Sequence, residues 1–293
     1  MKILFSLLSP SPYLELPQGL AGWIGWLFLF GLTSLAWWKW RGYNKELDSR
    51  KRGFLILLTL AVPFTSLFVG FRLPPGNSLP PPWMPINIEG PAVMIFSALP
   101  WMLAAGLLGV RPAGGLALIS GLLVALWENH NPFMPLVWAL LAILFAAMIH
   151  QRYRTTLFRV LRHPAISALA LSFLYPLIFL ITTVFFARGV LVSRVDFALA
   201  RVYSESMATA LQLLVGGVLV EALARAMPTR WGMRGDLIPS PTEKSMRARF
   251  LYGVAPLTLL LILVLMIGDW VVAGNFARRM LGERMTNAGS LAA

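Results

Sequence analysis

Apolar residues fall along this chain in eight runs, 20–38, 53–71, 91–110, 113–127, 133–149, 165–186, 208–223 and 250–272, with short polar links between them. A bilayer core offers no water to pair with peptide groups, so runs of this kind bury their backbone only as helix. A full crossing takes about 20 apolar residues. The pattern predicts an all-α integral membrane protein with about eight transmembrane helices. The fourth run, 113–127, is short for a hydrocarbon core of about 30 Å. Removing it would reverse everything after it and put Arg152 to Arg162 outside, so it counts as a span.

The links set the sidedness. Of 25 lysines and arginines, 17 lie in segments 39–52, 150–163 and 224–249 or at Arg111, and 8 lie in the alternating segments. Basic residues beside a span favour the cytoplasm, so these segments are expected inside and both termini extracytoplasmic. Residues 1–19, interrupted by Pro10 and Pro12, fit neither a signal peptide nor a span and read as an interfacial lead-in, with Tyr13 at head-group depth. Residues 20–71 form a first helical pair. Segment 72–90 is rich in proline, which forbids regular helix and makes a semi-rigid outer loop.

Residues 91–163 read as a three-helix packing unit with a tight RPAGG turn and a polar WENHNP link. Small residues recur there at four-residue spacing: Ala105 and Gly109, then Ala117, Gly121 and Ala125, then Ala142 and Ala146. Such ridges let membrane helices approach closely. Residues 164–249 hold the sixth and seventh spans and a basic inner loop; within them, 188–207 alternates charge and apolar residues and predicts a helix lying along the outer interface. Residues 250–293 supply the last span and an outer amphipathic tail from Asn275 to about Asn287.

Composition narrows the class. Hydrophobic residues make up 58% and charged residues 13%, with mean hydropathy +0.72, against about 25% charged in soluble domains. The net charge of +13 sits between apolar runs, where it meets anionic lipid head groups rather than nucleic acid. There is no cysteine, which excludes disulfides and thiolate chemistry. Partners expected from this pattern are the bilayer with its anionic head groups, and other membrane subunits or a second copy of the chain.

Candidate chemistry is sparse. Glu128, Asn129, His130 and Asn131 lie together in the WENHNP link, where Glu128 with His130 has the means to shuttle protons or recognise a polar ligand. The competing reading is a solvated turn, with Asn131 before Pro132 starting the next helix. Two ligand-type residues fall short of the three or four of a metal site. Asp269, near the outer end of the last span, is a second candidate, or simply snorkels to the interface. Glu221 and Arg225 form an i,i+4 pair, and His150 and His163 read as head-group contacts. No phosphate loop, HExxH, GxSxG or EF-hand pattern occurs, so the expectation is a non-enzyme, and no cofactor is named by the residues.

The block 88–162, with its run GPAVMIFSALPWMLAAGLLGVRPAGGLALISGLL, resembles the multi-pass N-terminal sensor regions of bacterial histidine kinases and diguanylate cyclases, the membrane-associated sensor type. The segment RARFLYGVAPLTLLLILVLMIGDWVVAGNFARRMLGERMTNAG is similar to the helix that leads from a span into an extracytoplasmic Cache-type domain in such receptors. The resemblance implies a sensory or signal-input module in the bacterial inner membrane. A receptor of that kind continues with a Cache domain and catalytic domains, so the chain is either the membrane part of something longer or a free-standing protein. Two alternatives stand beside it: a structural or accessory subunit of a larger membrane complex, and a substrate-binding membrane subunit of a small-molecule transporter.

Overall fold

The computed structural model describes residues 12–43, 48–74, 90–228, 231–232, 236–240 and 245–292. Most of the proline-rich loop lies outside these, as do the first 11 residues and the side chains of the amphipathic tail beyond Phe276. The chain divides into two compact units, 1–238 and 239–293.

Nine helices and two short strands are described: α1 Gly19–Lys39, α2 Ser49–Leu67, β1 Gly70–Arg72, β2 Ala92–Met94, α3 Leu99–Leu107, α4 Val110–Val124, α5 Met134–His150, α6 Thr156–Val160, α7 Pro164–Phe186, α8 Leu191–Ala226 and α9 Met246–Ala292. A π-helical turn, Ala125–Asn129, extends α4. Among the described residues, five helices are long and apolar enough to cross a membrane: α1, α4 with its π turn, α7, α8 and the 253–274 part of α9. The protein is therefore an all-helical membrane protein. Helix α2 has 19 residues but opens on Arg50, Lys51 and Arg52, which shortens its apolar part. Helix α5 has 17 residues and is buried almost all round, packing on α1, α3, α4 and α7.

The third run departs from the single helix expected for 91–110. Its first part is strand β2, then a turn at 95–98, and only then the nine-residue α3. The local cause is Pro100 in the first turn of α3: it has no N–H to bond the carbonyl of Phe96, and its ring excludes a further helical turn before it. Strand β2 pairs antiparallel with β1, Phe71 opposite Val93 and Arg72 opposite Ala92. Non-helical backbone at membrane depth is tolerated only when buried in protein, and Ala92, Val93, Met94 and Ala98 are all buried.

The free carbonyls at the end of α3 are met partly by its own C-terminal residues and partly from other segments. Ala104 accepts from Leu108 and Gly109, Ala105 accepts 2.6 Å from His150 Nε2, and Gly106 accepts from Gly232. His150 is thus fully buried as a cap on α3, not a head-group contact, because the last carbonyls of a helix need outside donors. Trp231 lies so close over Gly106 that a Cβ there would meet its ring at 2.2 Å.

The chain expected at 188–207 to lie along the interface is instead the first half of α8, which runs unbroken for 36 residues. No glycine or proline interrupts it between Leu191 and Gly216, and Phe197, Ala198, Leu199 and Val202 are buried. Gly216 and Gly217 then let α8 approach α3 and α7: a Cβ on Gly217 would stand 2.5 Å from that of Ala168.

Long-range pairings gather the basic segments at one end of the 1–238 unit. Tyr43 stacks on His150, Arg154 and Arg152 bond Ile238 through their backbones, and Glu221 holds His163 at 3.1 Å and Arg225 at 3.2 Å. At the other end stand Tyr13, the β1–β2 pair, the π turn and the start of α8. In unit 239–293, the apolar side chains of α9 from Phe250 to Val272 are mostly exposed.

Candidate functional site

The polar end is built around strand β2. In the register of an antiparallel pair, alternate residues turn both peptide groups away from the partner strand. Ala92 does so, and two distant side chains meet it: Glu128 Oε1 accepts from its N–H at 3.1 Å, and Gln212 Nε2 donates to its C=O at 3.2 Å. From there a buried polar line continues. The Ser97 hydroxyl is 3.3 Å from Gln212 Oε1 and 2.8 Å from the Met94 carbonyl. Ser120 Oγ reaches the Ser97 carbonyl at 3.5 Å and lies 2.8 Å from Ser66 Oγ. Elements α2, β2, α4 and α8 are tied by this one network.

The WENHNP link folds as the π turn closed by His130 in the left-handed conformation, φ 54°. Asn129 Oδ1 accepts from Asn131 N–H, and Asn131 Oδ1 accepts from Phe133 N–H at 2.9 Å. Both asparagines therefore do the turn work that their short amide side chains suit, while Glu128 and His130 of the same turn are buried rather than solvated. The extended segment 12–18 covers the turn: Tyr13 N–H donates to Leu126 C=O and Glu15 N–H to His130 C=O. His130 Nδ1 donates to the Tyr13 carbonyl at 3.0 Å, and the two rings stack at 3.5 Å. Burial and the Glu15 carboxylate push the Tyr13 phenol up from its ordinary range. Glu15 in turn pairs with Arg188 at 3.7 Å.

Under this cover lies a cavity of about 220 Å³. Glu128, Asn129, His130 and Asn131 all line it, so the four sequence candidates are brought together. Asp269 is not among them; it is exposed on α9 in the other unit. The remaining wall comes from residues that sequence reasoning passed over: Arg201 and Glu205 from α8, Tyr175 and Thr183 from α7, and Glu15. Arg72 and Arg201 act electrostatically on Glu128, and Arg201 on Glu205. A signal for α8 was present: Arg201, Glu205, Thr209 and Gln212 recur at helical spacing on one face and continue into an apolar span.

Of the small residues, Ala105, Ala117, Ala125, Ala142 and Ala146 are fully buried. Gly121 is a true close approach: a Cβ there would meet Pro135 Cα at 2.8 Å. Gly109 lies between α3 and α4 with φ 106°, so the turn is made there, two residues before RPAGG, and RPAGG itself is the first part of α4 rather than the tight turn expected. Among the described residues no three His, Asp or Glu are grouped to hold a metal ion.

Fold and site together define a helical membrane protein with a charged cavity at one end of its bundle. Comparison with protein-family models, curated proteins and solved structures finds no match to this chain.

Proposed function

We propose that this chain is a signal-input module of a bacterial cytoplasmic membrane, non-catalytic by itself, that senses a small polar cue in the cavity and passes the change along α8. The observation that carries this reading is the continuity of α8. One end of the helix supplies Phe197, Arg201 and Glu205 to the cavity, and the other supplies Glu221 to His163 and Arg225. A rigid 36-residue rod moves as a unit, so a displacement at the cavity is felt at the basic end.

The same reading takes eight crossings, with the cavity end and both termini extracytoplasmic. Beyond the five long helices, α2 is completed by β1, the third crossing is β2 with its turn and α3, and α5 crosses as one helix of 17 residues. Support comes from parity: the described residues of segments 39–52 and 150–163, and those up to 238 of segment 224–249, basic and expected inside, meet at one end of the 1–238 unit.

The test uses the absence of native cysteine. Spin labels on Leu157→Cys and Leu223→Cys, both partly exposed at the basic end, report their separation by pulsed electron resonance. The proposal expects Glu205→Gln to shift that distance by about 1–2 Å, the scale of helix shifts in switching proteins. An unchanged distribution favours a structural subunit instead. A distance that holds while the cavity end opens favours a transport subunit.

A further inference from the structure

Arg201 and Glu205 stand one helical turn apart on α8, the spacing at which opposite charges normally meet. Among the described residues they form no ion pair with each other or with anything else. The Arg201 guanidinium instead lies over the Phe197 ring at 5.2 Å, and Glu205 shares the cavity wall with Tyr175 and Phe179. A second observation comes from α7: Thr183 lines the same cavity, is 3% exposed, and its hydroxyl has no hydrogen-bond partner. Buried hydroxyls are nearly always satisfied, so this one has a hydrogen bond to offer at the cavity wall.

Of the charged side chains that line the cavity, Glu15 is paired by Arg188 at 3.7 Å and Glu128 accepts from the Ala92 N–H at 3.1 Å, which leaves one guanidinium and one carboxylate, Arg201 and Glu205, as a balanced pair of charges on the wall. A bare cation or a bare anion would leave that balance broken in a poorly solvated place, which is costly. A molecule carrying both charges preserves it. The volume of about 220 Å³ lies below the roughly 300–1,000 Å³ of pockets for drug-sized ligands.

The geometry points to a small zwitterion, one anionic and one ammonium group a few bonds apart, as the ligand of this cavity. The anionic group takes Arg201, whose fork of donors suits an oxyanion. The ammonium takes Glu205 beside the Tyr175 and Phe179 rings, where aromatic faces favour cations. Thr183 supplies a further hydrogen bond. This names the cue class for the signal-input reading and rests on it only for its biological purpose.

The test is calorimetric titration of the purified full chain in an uncharged maltoside detergent. The probes are glycine betaine and L-alanine as free zwitterions, glycerophosphoethanolamine as a lipid head group, and choline and propionate as single charges. Saturable binding of a zwitterion, with choline and propionate at least about tenfold weaker, supports the inference, and the stronger class names the source as solute or lipid. Arg201→Gln and Glu205→Gln are each expected to weaken it at least about tenfold, the scale of one lost charge-assisted hydrogen bond. If either variant loses its melting transition, Arg201→Lys and Glu205→Asp carry the same comparison. Binding of no zwitterion, or choline or propionate binding equally well, overturns the inference. Zwitterion binding with no movement at the basic end overturns the signal-input reading alone. Movement on Glu205→Gln without zwitterion binding overturns the ligand class alone.

Discussion

Ala92 has no side-chain chemistry, yet its two peptide groups decide where Glu128 and Gln212 stand. Removing one partner of such a buried pair costs the full desolvation of the group left behind, about 1–3 kcal/mol. Gln212→Leu strands the Ala92 carbonyl and takes a partner from Ser97, so its melting temperature in detergent should fall accordingly. Glu128→Gln keeps an oxygen for the Ala92 N–H and should melt close to the parent, whereas Glu128→Leu should not. Gly217 tests packing at the same scale. Leucine there meets Ala168 and the Pro164 carbonyl, and overpacking a close approach costs about 1–3 kcal/mol or more.

At the scale of elements, the apolar runs located most helices to within a few residues, because a membrane span is specified by a long composition signal that neighbours do not alter. The third run misled because its break rests on one residue. Pro100 stops α3 going back, and β2 is stabilised by β1, which lies across the proline-rich loop in sequence. Pairing at that distance leaves no local mark. A double variant, Phe71→Cys with Val93→Cys, should oxidise to a disulfide, since these residues are directly opposite and paired Cα atoms about 5.5 Å apart suit the bond. A helical third span would leave the two thiols free under the same oxidant.

The candidate site was legible in part for a related reason. Glu128 to Asn131 stood out as a polar cluster between two apolar runs, and all four line the cavity. Arg201 and Glu205 were read with a surface helix, because alternating charge in a link usually means solvent. Only the three-dimensional meeting of α7, α8 and segment 12–18 turns those charges inward. His150 was misplaced by its basic neighbours, since nothing local tells that the Ala105 carbonyl, in the last turn of α3, lies beside it.

At the scale of the whole molecule, the 1–238 unit has two ends of different chemistry joined by α8. One end carries carboxylates, arginines and aromatic rings around a cavity; the other gathers the basic links. Charge bias next to spans predicts that the basic end is cytoplasmic. The measurement that tests this most directly is single-cysteine labelling in intact cells with a membrane-impermeant maleimide, comparing Val190→Cys at the cavity end with Leu157→Cys at the basic end, both exposed. The account predicts that Val190→Cys is labelled from outside and that Leu157→Cys is labelled only after the membrane is permeabilised. Labelling of both from one side, or of Leu157→Cys alone from outside, would contradict it.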